Sequence, residues 1–244
     1  MEDMPVRLTI LGMNGPFPAA QGATSGYLLT TETACLCFDL GTGTLARLTA
    51  ICPPETLDAI VLSHWHYDHC ADLLPLIYRL EACAVQPLHV WAPVDEASPV
   101  RQAVLGCSRI VLHDVQPGDV LSVGDAQLRV YPARHPVPAV MYRVEVGGRT
   151  FCYTGDTNTL EGLDAFARGA DLLLADGLFP AAAWAEGKPH LSAEKAAQLA
   201  AQAGAGRLII THLNPMHDPA TLLREARVHR LDALLARAGD TYEV

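Results

Sequence analysis

With 244 residues, the chain is of a size at which layered α/β sandwiches form one unit, so one domain over 1–244 is expected. Apolar residues make up 50% and charged residues 18% of it, which excludes a disordered or collagen-like chain. A formal charge of −10 works against non-specific binding to nucleic acid or anionic lipid, both of which require a cationic surface.

Apolar stretches such as 172–175 are short and flanked by Asp171 and Asp176, so no membrane span is expected. The opening Met-Glu-Asp-Met-Pro lacks the positive region of a signal peptide, and 6–11 is too short for its apolar segment; a cytoplasmic protein is expected. Seven cysteines, an odd number scattered through apolar segments, read as reduced core thiols rather than a disulfide framework.

In chain order, short β-rich runs at 6–11, 26–31 and 34–39, punctuated by Gly12, Gly15, Pro16 and Pro18, predict an opening antiparallel meander. A helix is expected over 41–50, a strand over 58–63 and a helix over 68–80 despite Pro75. Strands are expected at 88–92, 109–113, 127–131, 140–146 and 150–154, with Gly147-Gly148 as a hairpin turn. The last third predicts a helix at 160–167, a strand at 171–175, a helix at 193–203 capped by Ser192, a strand at 207–211 and a helix at 219–229. The segment 231–238 fits helix or strand equally. Strands followed by helices in both halves imply packed sheets covered by outer helices, a four-layer αββα sandwich.

Residues 64–69 read His-Trp-His-Tyr-Asp-His. Three imidazoles and a carboxylate crowded into six residues are costly to bury unless something satisfies them, and a divalent cation does so. His64 and His66 can point the same way from an extended segment, while Asp68 and His69 begin the turn into a helix, so one ion per pair follows. His135, Asp156 and His212 each stand just beyond an apolar strand and are the candidates to complete the two sites. A carboxylate such as Asp156 can bridge two ions and so let them share a hydroxide, the expected nucleophile.

The order His-x-His-x-Asp-His, then His, then Asp in Thr-Gly-Asp-Thr, then His after a strand resembles the metallo-β-lactamase superfamily over almost the whole chain. The resemblance implies that His64, His66 and His135 hold one ion and Asp68, His69 and His212 the other, with Asp156 between them. It also implies the αββα fold, and that Asp39 orients a metal-binding histidine. Zinc suits the ligand types, and manganese or iron could serve because Asp68 and Asp156 supply hard oxygens.

One group of true β-lactamases has a cysteine where this chain has Asp156; Cys152 lies four residues early, within a strand. An iron site of the flavodiiron type would replace His66 by glutamate. The segment from His190, preceding an Ala-rich helix, resembles ribonuclease Z and its relatives, in which that histidine assists at the leaving oxygen, and 22–26 resembles their early Ser-rich loop. Only twenty residues separate His135 from Asp156, where ribonuclease Z inserts an arm that grips transfer RNA. The expectation is therefore a dinuclear phosphodiesterase for small or short substrates rather than structured transfer RNA. In it, Asp68 orients the nucleophile or accepts its proton, and His190 protonates the leaving group. A thioesterase or lactonase using the same site is the first alternative and a non-catalytic metal-binding scaffold the second; a homodimer is compatible with the resemblance. His217 is left outside the site. Trp65 and Tyr67 are expected to pack beneath the metal loop, and the turn from Gly12 to Gly15 lacks the lysine of a phosphate loop.

Overall fold

Alternating apolar strands and amphipathic helices fold into two seven-stranded mixed sheets packed face to face. The structure, a computed structural model, describes residues 5–83 and 85–244; the opening tetrapeptide used in the leader argument lies outside them. The first sheet holds β1 (Arg7–Gly12), β2 (Gly26–Thr30), β3 (Cys35–Leu40), β4 (Ala59–Val61), β5 (Leu88–Pro93) and β6 (Ile110–Val115) in chain order. The second holds β7 (Val120–Val123), β8 (Ala126–Pro132), β9 (Val140–Val146), β10 (Arg149–Tyr153), β11 (Leu172–Asp176), β12 (Arg207–Thr211) and β13 (Leu234–Leu235). The last strand, β14 (Thr241–Glu243), returns to pair with β1 at the edge of the first sheet.

Each sheet opens as an antiparallel meander and continues as parallel strands: β3, β4, β5 and β6 run parallel, as do β10, β11, β12 and β13. Parallel neighbours need crossover connections, and helices supply most of them. On the outer face of the first sheet lie α1 (Thr44–Thr49), α3 (Leu73–Cys83) and α4 (Pro99–Leu105). On that of the second lie α5 (Leu163–Ala167), α6 (Ala193–Ala203) and α7 (Pro219–Arg227). One apolar cluster fills the space between the sheets and two others lie under the helices. That is the expected αββα sandwich.

The local differences have identifiable causes. The helix expected over 68–80 is two: α2 (Tyr67–Cys70) stops short of Asp72, whose carboxylate accepts from the Leu45 N–H, and α3 starts at Leu73. Pro75 therefore falls in a first helical turn, where its missing N–H costs nothing. The expected 41–50 helix shortens to α1 because Gly43 enters it with φ +86°. Elements not anticipated are α4, β7 and β14, and the ambiguous segment 231–238 resolves as the brief edge strand β13. The Gly147-Gly148 hairpin and the Ser192 cap form as expected, with φ of +57° and +70° at the glycines and a 3.1 Å bond from the Lys195 N–H to Ser192 Oγ.

Near the C-terminal ends of the parallel strands, three buried tyrosines cross the sandwich and bond to the opposite sheet or the segment leaving it. Tyr27 Oη is 2.8 Å from Thr211 Oγ1, Tyr142 Oη donates to the Leu62 carbonyl at 2.9 Å, and Tyr153 Oη donates to Asp39 Oδ2 at 2.6 Å. Their rings pack with Phe38 and Phe151, so ring burial and hydroxyl bonding fix the spacing of the two sheets together. Tyr142→Phe leaves the buried Leu62 carbonyl without its donor. A loss of about 1–3 kcal/mol in unfolding free energy is expected, read by urea denaturation; an unchanged midpoint and slope would contradict this role.

Candidate metal centre

Strand ends build the site. Asp39 is the penultimate residue of β3, His64 and His66 follow β4, and Asp68 and His69 lie in α2. His135 follows β8, Asp156 follows β10, Asp176 ends β11, His212 follows β12, and His190 precedes α6. A carboxyl-end crevice of this kind is where α/β sheets gather functional groups.

The backbone is shaped for these side chains. His212 sits at φ +56° and Asp39 at φ +54°. Gly15 allows the close approach of His212, since a Cβ there would stand 2.0 Å from its Nε2. Gly155 has φ +52° and would drive a Cβ to 2.6 Å from Ser63 Cβ, so the turn that presents Asp156 tolerates only glycine.

Donor atoms converge in two sets, each within 4.8 Å: His64, His66, His135 and Asp156, and Asp68, His69, Asp156 and His212. His66 Nδ1 and His135 Nε2 lie 3.1 Å apart, and His212 Nε2 is 3.1 Å from Asp68 Oδ2 and 3.4 Å from Asp156 Oδ2. His69 Nε2 is 3.2 Å, and His64 Nε2 3.6 Å, from Asp156 Oδ2.

Hydrogen bonds behind the rings set which nitrogens face inward. His69 Nδ1 donates to Asp39 Oδ2 at 2.7 Å, and Ser63 Oγ, itself donating to Asp39 Oδ2, stands 3.0 Å from His64 Nδ1. His135 Nδ1 is 3.3 Å from the Pro189 carbonyl. With Nδ1 bonded behind each ring, the Nε2 atoms point inward, the arrangement that prepares a histidine for a metal. His64 Nε2, His69 Nε2 and Asp156 Oδ1 are buried yet hydrogen-bonded to nothing. Buried polar atoms left so are costly, and cations satisfy them; the residues present fit divalent metals.

Burial drives His64 well below the usual imidazole range and also lowers His66 and His135, favouring the neutral, ligating form. Burial acts the same way on His69, but Asp156, Asp68 and Asp39 outweigh it and hold that ring well above the usual range. Burial would raise Asp156, yet His212, His69 and His190 keep it well below the ordinary carboxylate range; Asp68 is lowered by His69 and His212 against the same opposition.

The structure thus brings together His64, His66, Asp68, His69, His135, Asp156 and His212, with His190 at their margin. His190 Nδ1 is 2.9 Å from Asp176 Oδ2 and 3.7 Å from Asp156 Oδ2, and its ring stacks on His212. Burial lowers His190, but Asp176 and Asp156 overcome this and push it up to about 9. Asp176 was missed as a site residue, although it carries the signature that marked Asp156 and His212, a polar residue closing the apolar strand Leu172–Asp176. Asp176 and His190 form a third convergent group with Asp156 and His212. Cys152 is buried within β10, away from the ligand positions. His217 stays outside the donor sets, its ring 6.5 Å from that of Phe179. Trp65 packs beneath the loop as expected, 2% exposed with Nε1 donating to the Pro93 carbonyl at 2.7 Å. Tyr67 does not: its side chain is turned outward and the residue is 61% exposed.

The sequence matches the model of the Beta-lactamase superfamily domain over residues 36–213, and the chain belongs to that family. It is 30% identical over 243 residues to YhfI of Bacillus subtilis (strain 168), a probable metallo-hydrolase, covering 98% of this chain and 100% of the relative. The crystal structure of YhfI, described as a metallo-beta-lactamase fold protein, superposes with a TM-score of 0.93 at 31% identity over 100% of both chains. Ribonuclease Z of Methanopyrus kandleri is 27% identical, with 97% of each chain covered. Human tRNase Z, short form, shares the fold with a TM-score of 0.79 at 20% identity, covering 98% of this chain and 99% of that one. The chain thus stands with YhfI and the short ribonuclease Z-like proteins, in a superfamily whose fold implies divalent metal binding.

Asp39→Asn removes the carboxylate behind His69 while conserving shape. Metal affinity is expected to fall about 10- to 100-fold, measured by competition with a chromogenic chelator; unchanged affinity would remove Asp39 from the metal-orienting role.

Proposed function

We propose that the protein is a hydrolase of small or short phosphodiesters that works with two divalent cations, zinc by preference. His64, His66 and His135 would hold one cation, Asp68, His69 and His212 the other, and Asp156 both. When bound, the cations supply an activated water at neutral pH and neutralise charge on the phosphoryl oxygens. The observation that carries this reading is the convergence of two donor sets on the single carboxylate Asp156.

The chain's own groups divide the remaining work. Asp39 and Ser63 fix the orientation of His69 and His64. Asp68, at the rim and 8% exposed, orients the attacking water and accepts its proton. Asp176 anchors His190 through Nδ1, and with no protein group bonded to its Nε2 among the described residues, that nitrogen donates to the leaving oxygen. Asp176 is itself fixed by the N–H groups of Thr157 and Leu178, so the imidazole is held by a rigid partner.

Three observations favour a phosphodiester of modest size. The relative from Methanopyrus kandleri is a ribonuclease by name, which supports the bond type. Residues 136–155 are taken up largely by β9, a two-glycine turn and β10, leaving no length there for an arm that embraces a large RNA, and the −10 charge opposes a polyanion.

Asp156→Ala is expected to abolish metal-dependent hydrolysis of bis-p-nitrophenyl phosphate; activity near that of the unaltered protein would sink the shared-carboxylate assignment. His190→Ala should lower kcat about 100- to 10,000-fold with an alkoxide leaving group, and far less with p-nitrophenolate, which departs without a proton. Equal losses on both substrates would remove His190 from the donor role. Hydrolysis of a thioester or lactone panel in preference to every phosphodiester would overturn the bond assignment.

A further inference from the structure

Tyr67 lies between two proposed metal ligands, His66 and Asp68, yet it is 61% exposed. Its neighbour Trp65 follows the ordinary logic of such a loop, buried and hydrogen-bonded beneath it. An outward tyrosine at this point exposes apolar ring to water, and it does so along the wall of a cleft. That cleft has a volume of about 280 Å³ and is lined by Trp65, His66, Tyr67, Asp95, Ser98 and Pro99, among others. His66 belongs both to the cleft and to the first donor set, so the cleft adjoins the proposed metal centre.

The Asp95–Ser98 part of the lining is preformed. Asp95 Oδ1 accepts from the Ala97 N–H at 3.1 Å, the Asp95 carbonyl accepts from the Ser98 N–H at 3.2 Å, and Ser98 Oγ caps α4 through the Arg101 N–H. Asp95 Oδ2 has no protein donor among the described residues. The cleft therefore offers one aromatic face, one free carboxylate oxygen and no cationic side chain. A second phosphate or carboxylate would be repelled there, whereas a flat ring carrying an N–H donor would stack on Tyr67 and bond to Asp95.

We propose that this cleft is a nucleobase subsite, with Tyr67 the stacking residue and Asp95 the acceptor for an exocyclic amino group. This rests on the phosphodiesterase reading above and narrows its substrate class to nucleotide esters with an amino-bearing base. Tyr67 is a specificity-determining residue rather than a metal ligand or proton carrier.

The test is equilibrium binding, which requires no turnover. Adenosine 5′-monophosphate and ribose 5-phosphate are titrated by calorimetry into metal-loaded protein, unaltered and with Tyr67→Ala or Tyr67→Phe. The unaltered protein should bind the nucleotide about tenfold or more tighter than the sugar phosphate, the scale of one stacked base. Tyr67→Ala should erase most of that preference while leaving ribose 5-phosphate affinity unchanged, and Tyr67→Phe should retain it. Equal affinity for the two ligands in the unaltered protein, or a preference that survives Tyr67→Ala, would overturn the subsite. So would a parallel loss of both ligands in Tyr67→Ala, since that marks a structural role. Failure to hydrolyse phosphodiesters would bear on the proposed function and leave this comparison readable by itself.

Discussion

The carboxylate of Asp39 is fully buried between the sheets and accepts hydrogen bonds from the Ser63 N–H, Ser63 Oγ, His69 Nδ1 and Tyr153 Oη. Those donors come from the loop after β4, from α2 and from β10 of the other sheet. A buried anion without donors would be prohibitively costly, so their positions are mutually constrained. The residue takes φ +54°, a conformation unfavourable for a side chain bearing a Cβ and tolerated best by Asp and Asn. This one group ties the metal-facing orientation of His69 to the pairing of the two sheets. Loss of its charge therefore acts on the site and on the sandwich together.

From that constraint the architecture of the centre follows. Parallel strands in each sheet end at the same edge, and the residues just beyond those ends are the ones with donor side chains. Tyrosine hydroxyls crossing from one sheet to the other hold the two rims at a fixed separation, which brings residues from opposite halves of the chain within hydrogen-bond distance, as in His66 with His135 and Asp68 with His212. Rigidity of the surrounding shell is what a metal centre requires of its protein, because ligand geometry must be held before the cation arrives.

Much of this was legible in the sequence because the signals were local. Six contiguous residues from His64 to His69 carry their own meaning, and His135, Asp156 and His212 each declare themselves by standing after an apolar strand. Asp176 closes such a strand too, but a single carboxylate there reads equally as an ordinary flank, and only the fold brings His190 to it. The break between α2 and α3 depends on the Asp72 carboxylate capping the backbone of Leu45, a long-range contact no periodicity reveals. β14 pairs with the first strand across the length of the chain, and its three residues are too few to show alternation. Tyr67 misled for a related reason: alternation within the loop predicts packing for both Trp65 and Tyr67, but α2 begins at Tyr67 and turns its side chain outward.

Anomalous scattering from crystals of metal-loaded protein tests the central claim most directly. Two peaks are expected, one among His64, His66 and His135 and one among Asp68, His69 and His212, each within bonding distance of Asp156. A single peak, or two peaks that leave Asp156 uncoordinated, would contradict a centre built on one shared carboxylate.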